Sequence, residues 1–151
     1  MRGFTLVEIL IVVVILGILA AVVVPQAASA SDSARQSTFA SDVRVFSDAA
    51  TVYKSRTGQW VNDGGSGMVP AGFEDYIDES KWLRGTTLGG LWDAERNSFA
   101  IRSAIGVHFM NGDDPGDAYM VQVDELFDDG ALATGGFRKL DVERYYAVIA
   151  D

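Results

Sequence analysis

MRGFTLVEILIVVVILGILAAVVVPQ, residues 1–26, decides how the rest of the chain is read. Phe4 to Val24 is a run of Leu, Ile and Val with no turn residue before Gly17 and a single charge, Glu8. At about 1.5 Å per residue such a run spans roughly 30 Å, one hydrocarbon thickness, so its first reading is a membrane-spanning helix. A cleaved secretory signal is the second reading, because Ala28-Ser29-Ala30 offers a small-residue cleavage site. The run is longer than the usual apolar core of about 7–15 residues in such signals, and Glu8 has no use there. A carboxylate in a spanning helix is costly, about 2.5–3.5 kcal/mol at the centre and less near an end, so a cationic partner is expected. An α-amine on Phe4, exposed by a cut after Gly3, would supply one.

The segment RGFTLVEILIVVVILGILAAVVVP resembles the N-terminus of type IV pilins and type II secretion pseudopilins. Gly3, Phe4, Thr5, Glu8, Gly17 and Pro25 carry the resemblance. It implies a leader, residues 1–3, removed after Gly3 by a prepilin peptidase that then N-methylates Phe4. It implies a transmembrane and assembly helix, residues 4–25, and a periplasmic or extracellular head, residues 26–151, that includes the second half of the long helix. It also implies that Glu8 neutralises the Phe4 amine of a neighbouring subunit, so that a liability in a lone helix becomes a register signal in a bundle. Arg2 keeps the leader cytoplasmic. The implied partners are copies of the same chain and other pilin-like subunits in a filament, the peptidase, an inner-membrane assembly platform, and lipid before assembly. The implied location is the inner membrane, single-pass with the head in the periplasm, then a periplasmic or cell-surface filament. Gly17 and Pro25 mark a weak point in the helix, with Val22, Val23 and Val24 between them. That segment is expected to be helical or gently kinked in the monomer and to extend in the filament.

The 151 residues suffice for one modest domain plus an N-terminal element. Charge is unevenly spread. Residues 26–57 hold three acidic and four basic side chains, whereas Gly58 to Asp151 hold 17 acidic and 7 basic. An acidic surface repels phosphates, which argues against nucleic acid as a partner. The absence of cysteine excludes disulfides and thiolate metal sites.

Gln26 to Thr38 is rich in Ala and Ser and reads as continued helix, with a flexible linker as the alternative. Phe39, Val43, Phe46, Ala50 and Tyr53 step by 4, 3, 4 and 3, one face of a helix that packs on a sheet. Arg44 and Asp48 form an i,i+4 pair off that face. Lys54 and Arg56 fall in the last turn, and Gly58 is the C-cap candidate. VNDGGSGMVPAG reads as a flexible loop, since it lacks the Gly-Lys-Ser/Thr of a phosphate cradle. FEDYIDESKW reads as a short helix. GGLWDAERNSFAIRSAIGVHF reads as two strands around a turn at Arg96-Asn97. GDAYMVQVDELFDDG reads as a helix with Asp117 as N-cap, ended by Asp128 and Asp129 before Gly130. GFRKL and RYYAVIA form a second hairpin around Asp141-Val142-Glu143. The expected fold is α+β: a long N-terminal helix, transmembrane in its first half, packed on a small antiparallel sheet of about four strands, the pilin-like plan. TLGGLWDAERNSFAI and DDGALATGGFRK are also similar, more loosely, to short prepilin-like proteins described as type II secretion proteins.

Chemistry is sparsely signalled. His108 is the only histidine and sits at a strand end, with neither a cysteine nor a Gly-x-Ser-x-Gly elbow to partner it. It reads as a structural histidine, and no catalytic residue is assigned. Asp113 to Asp129 holds seven acidic and no basic side chains. Some major pseudopilins bind calcium in distal loops, so Asp113, Asp114, Asp117, Asp128 and Asp129 are calcium candidates by that resemblance. The first three also suit a turn and cap, the last two a helix end. Two rival functions remain: an exported soluble binding module released by a cut after Ala30, and a single-pass anchored envelope enzyme.

Overall fold

The computed structural model describes residues 3–110 and 112–151. Helix α1 runs Leu6–Thr57 as one 52-residue element that includes Gly17 and Pro25. The chain divides into two compact units, and the boundary falls inside α1 between Ala34 and Arg35. The C-terminus of α1 closes as its residues dictate. Gly58 adopts φ +78° and its N–H donates to Lys54 O at 2.9 Å, a left-handed stop that a side chain would strain. The Lys54 ammonium caps the same end by bonding the Gly58 carbonyl.

A 3-10 turn, Glu74–Tyr76, and helix α2, Glu79–Leu83, occupy the stretch expected to hold one short helix. Asp78 separates them: it is extended, and its carboxylate accepts from the Lys81 N–H as N-cap. Strands β1, Leu91–Glu95, and β2, Ser103–His108, form the first hairpin. The connection is not a tight turn at Arg96-Asn97. It is a loop over residues 96–102 in which Asn97, Phe99 and Ala100 all take positive φ. Helix α3 spans Asp117–Asp124, and β3, Phe137–Asp141, and β4, Arg144–Ala150, form the second hairpin. The sheet is antiparallel throughout, in the order β1-β2-β4-β3.

One sheet face packs on the stripe from Phe39 to Tyr53. Phe39, Val43, Phe46 and Ala50 are buried, and Tyr53 is half-buried. Phe39 stacks on Trp92 at 5.5 Å between ring centroids, and Phe46 meets Trp92 edge-on at 4.8 Å and Trp82 at 5.1 Å. These rings fix the register of helix on sheet, since aromatic pairs prefer stacked or edge-on contacts.

Several local expectations are corrected. Arg44 does not pair with Asp48; its guanidinium donates to the Leu126 carbonyl and lies 5.2 Å over the Phe127 ring. Asp117 is not the N-cap of α3. Gly116 holds that position, and Asp117 instead binds Lys139 at 2.6 Å and the Tyr145 hydroxyl at 2.6 Å. α3 ends at Asp124, before Asp128 and Asp129, because the backbone loosens into turns through Phe127. The glycine-rich loop is pinned: Gly67 N–H donates to Trp92 O at 2.7 Å, and the Trp82 indole donates to Met68 O at 3.0 Å.

Candidate functional site

The N-terminal segment is built by what it lacks. From Leu6 to Val24 every large apolar side chain is at least half exposed, all round the helix. A helix apolar on every face belongs inside lipid or a bundle of like helices, and this one is long and apolar enough to cross a membrane. Phe4 is 84% exposed, and nothing lies within 4 Å of where a Cβ on Gly3 would sit. Of the expected leader, Met1 and Arg2 lie outside the described residues.

Glu8 has an intrachain partner that sequence reasoning missed. The Thr5 N–H donates to Glu8 Oε2 at 2.8 Å, the Thr5 hydroxyl donates to the same oxygen at 2.9 Å, and the Glu8 N–H donates back to Thr5 Oγ1 at 3.2 Å. The Ile9 N–H donates to Thr5 O at 3.3 Å, the first bond of the helix. This is a capping box: two of the orphan donors of the first turn are satisfied reciprocally, and a carboxylate sits at the positive end of the helix dipole. The signal was present as Thr5-x-x-Glu8. Among the described residues Glu8 Oε1 accepts no hydrogen bond, so half of the carboxylate is free.

The calcium candidates separate into two groups. Asp114 accepts from the Gly116 N–H at 2.8 Å and from the Tyr145 hydroxyl at 3.1 Å, and with Asp117 it ties α3 to β4. Asp113 is exposed and stands apart from the second group. Asp128 and Asp129 join a residue the sequence did not single out, Asp124. One carboxylate oxygen from each lies within 4.8 Å of the others. Asp128 accepts the Gly136 and Asp129 N–H groups, and Asp129 accepts the Ala131 N–H. Asp124 is fully buried and, as a carboxylate, has no donor for either oxygen. Burial first, then contact with Asp128, pushes its pKa up to about 7, while the hydrogen bond from Asp124 holds Asp128 below the usual carboxylate range. The three carboxylates, the buried Asp124 among them, would supply three hard oxygens of the about six to eight that a calcium ion takes.

On the sheet face away from α1, Arg144 Nη1 bonds Asp93 at 2.9 Å and Glu95 at 2.6 Å, and Tyr146 donates to Asp93 at 2.7 Å. Ser66 Oγ donates to Asp93 at 3.1 Å and lies 2.6 Å from His108 Nδ1. Burial pushes the Glu95 pKa up and the His108 pKa down. The carboxylate contacts the serine and the arginine rather than the imidazole, so the geometry differs from a Ser-His-Asp relay. Gly106, central in β2, admits the close strand pairing here: a Cβ would fall 2.1 Å from Tyr145 O. The network joins the glycine-rich loop to β1, β2 and β4.

Residues 1–24 match the family described as "Prokaryotic N-terminal methylation motif". That segment, followed by a helix packed on a four-stranded antiparallel sheet, supports the resemblance to type IV pilins and type II secretion pseudopilins and gives the pilin-like fold. Among curated proteins it is similar to the type II secretion system core protein G of Pseudomonas aeruginosa, 52% identical over 52 residues, 34% of this chain and 37% of that protein. It is also similar to the protein of the same name from Klebsiella michiganensis, 45% identical over 53 residues, 35% of this chain and 37% of that protein. The likeness thus spans little more than a third of either relative's length. No solved structure matches the chain.

Proposed function

We propose that this chain is a structural, non-enzymatic subunit of a type IV pilus-like filament, most specifically a type II secretion pseudopilin. The observation that carries the reading is the match of residues 1–24 to a methylation motif that also appears as a helix apolar on every face. In this reading the peptidase cuts after Gly3 and methylates the Phe4 amine. The subunit waits in the inner membrane with its head in the periplasm, and an assembly platform then draws it into the polymer. Its partners are copies of itself and other pilin-like subunits. Glu8 pairs with the Phe4 amine of a neighbour through the oxygen its own cap leaves free. The segment between Gly17 and Pro25, helical in the single chain, extends in the filament. Mass spectrometry of the mature N-terminus tests the proposal: N-methylated Phe4 is the expected terminus, and a Ser31 terminus would establish an exported soluble module instead.

The orphaned Asp124 carboxylate supports a calcium ion as a structural component of the head, held by Asp124, Asp128 and Asp129. The ion would neutralise the buried charge and tie α3 to the loop before β3.

A further inference from the structure

The head carries an apolar knob at one end of β4 and an apolar groove at the other. The knob is Val142, 74% exposed at the turn between β3 and β4. The turn is stiff: Glu143 takes φ 58°, the Val142 N–H donates to Asp141 Oδ1 at 2.8 Å, and the Glu143 carbonyl accepts from Phe109 at 2.8 Å. Two carboxylates, Asp141 and Glu143, therefore flank one exposed valine.

The groove, about 310 Å³, lies between α1 and β4 with Val43, Phe127, Ala147 and Ile149 among its lining residues. Arg44 stands on its rim, with Asp48 one turn along α1. Ser47 Oγ lines it, buried and without a hydrogen-bond partner among the described residues. The unpartnered Ser47 hydroxyl and the N–H donors that Arg44 keeps beyond its bond to Leu126 border an apolar floor, which suits an occupant apolar at its centre and rich in acceptors at its edges. The sequence Asp141-Val142-Glu143 has that composition. It cannot fill the groove of its own head, because Val142 and Val148 are six residues apart on an extended strand, roughly 20 Å.

We propose that the Asp141–Val142–Glu143 turn of one subunit seats in the α1–β4 groove of the next copy of this chain. The inference deepens the filament reading and rests on it for its setting. Knob and groove are different surfaces, so the contact is heterologous. Such a contact leaves a free knob and a free groove after every addition and propagates as an open helical chain unless its rotation closes a ring.

The chain has no cysteine, which permits a clean cross-linking test on the full chain in cells. Val142→Cys combined with Thr51→Cys places one thiol on the knob and one on the groove, where Thr51 is exposed. Oxidation is expected to give a ladder of dimers, trimers and longer species that neither single variant gives. Asp48→Lys, which removes the acid that opposes the knob, should strengthen the ladder. Absence of a ladder overturns the contact, and so does a Val142→Cys single variant that yields dimers as its main product, which would mean tip meets tip. Filament yield of the unaltered chain is read on parallel cells. Filaments without a ladder sink the contact and leave the filament reading standing. A ladder in oxidised membranes that never yield filaments supports the contact and sinks the filament reading.

Discussion

Replacing Glu8 by Gln separates the two roles that the structure and the family suggest for this carboxylate. Gln at the third helical position still accepts from the Thr5 N–H, so the capping box survives and only the charge is lost. If capping is the whole purpose of Glu8, Glu8→Gln assembles normally, and Thr5→Ala, which removes the hydroxyl, costs about 0.5–2 kcal/mol of helix stability. If Glu8 also neutralises the Phe4 amine of a neighbour, Glu8→Gln leaves a positive charge inside an apolar bundle. Breaking a buried pair costs about 3–5 kcal/mol, equivalent to roughly 150- to 4,000-fold in the association constant at every addition. Filament yield should then fall to near zero while cleavage after Gly3 and head folding stay intact, because the head begins far along α1 from Glu8. The assay measures the mature mass and the sheared filament fraction on the same cells. Correctly cleaved Glu8→Gln protein that polymerises at the wild-type level would refute the charge-pair mechanism and leave the cap as the explanation.

Three other outcomes are expected. Gly3→Val, which fills the space beside the bond proposed to be cut, should leave uncut precursor in the membrane; a normal mature mass in that variant would remove the processing site. Phe46→Ala should destabilise the head by about 3–5 kcal/mol, since the ring is buried between Trp82 and Trp92; an unchanged melting midpoint in a fragment starting at Gln26 would contradict that packing. Asp124 binds its proton more tightly folded than unfolded, so its contribution is full below about pH 4 and is lost as pH rises through about 7, with Asp128 working in the opposite sense. Asp124→Asn should flatten that loss, and millimolar calcium should offset it in the native chain; a melting profile indifferent to the substitution and to calcium would remove both roles.

The parts of this fold that repeat with a short period were legible before any coordinates. The stripe Phe39, Val43, Phe46, Ala50 and Tyr53 declares its face because burial follows the 3.6-residue turn, and Gly58 ends the helix for a local steric reason. Partnerships between distant residues were not legible. Arg44 meets Leu126 and Arg144 meets Asp93 across 82 and 51 residues, and no local rule pairs them. Asp124 looked like one more helix acid, because sequence cannot show that its carboxylate is buried without a donor.

Thr5 and Glu8 are the exception, a purely local partnership that was readable and missed. The reason is physical. A carboxylate inside an apolar run draws attention to its cost in lipid, and that cost is easily assigned to a partner outside the chain. At a helix start the first N–H groups are costly in lipid too, and a threonine three residues earlier lets the two liabilities cancel. Among the described residues the cap engages Oε2 and nothing bonds Oε1. A single subunit can therefore hold Glu8 in the membrane without a neighbour, and a neighbour's amine can bind without undoing the cap. If a neighbour's amine pairs with Glu8 as proposed, it would add a bond rather than exchange one, so Thr5→Ala and Glu8→Gln should differ in kind. The first should leave a subunit with a frayed helix start and an intact charge pair, the second a subunit with an intact start that does not join the polymer.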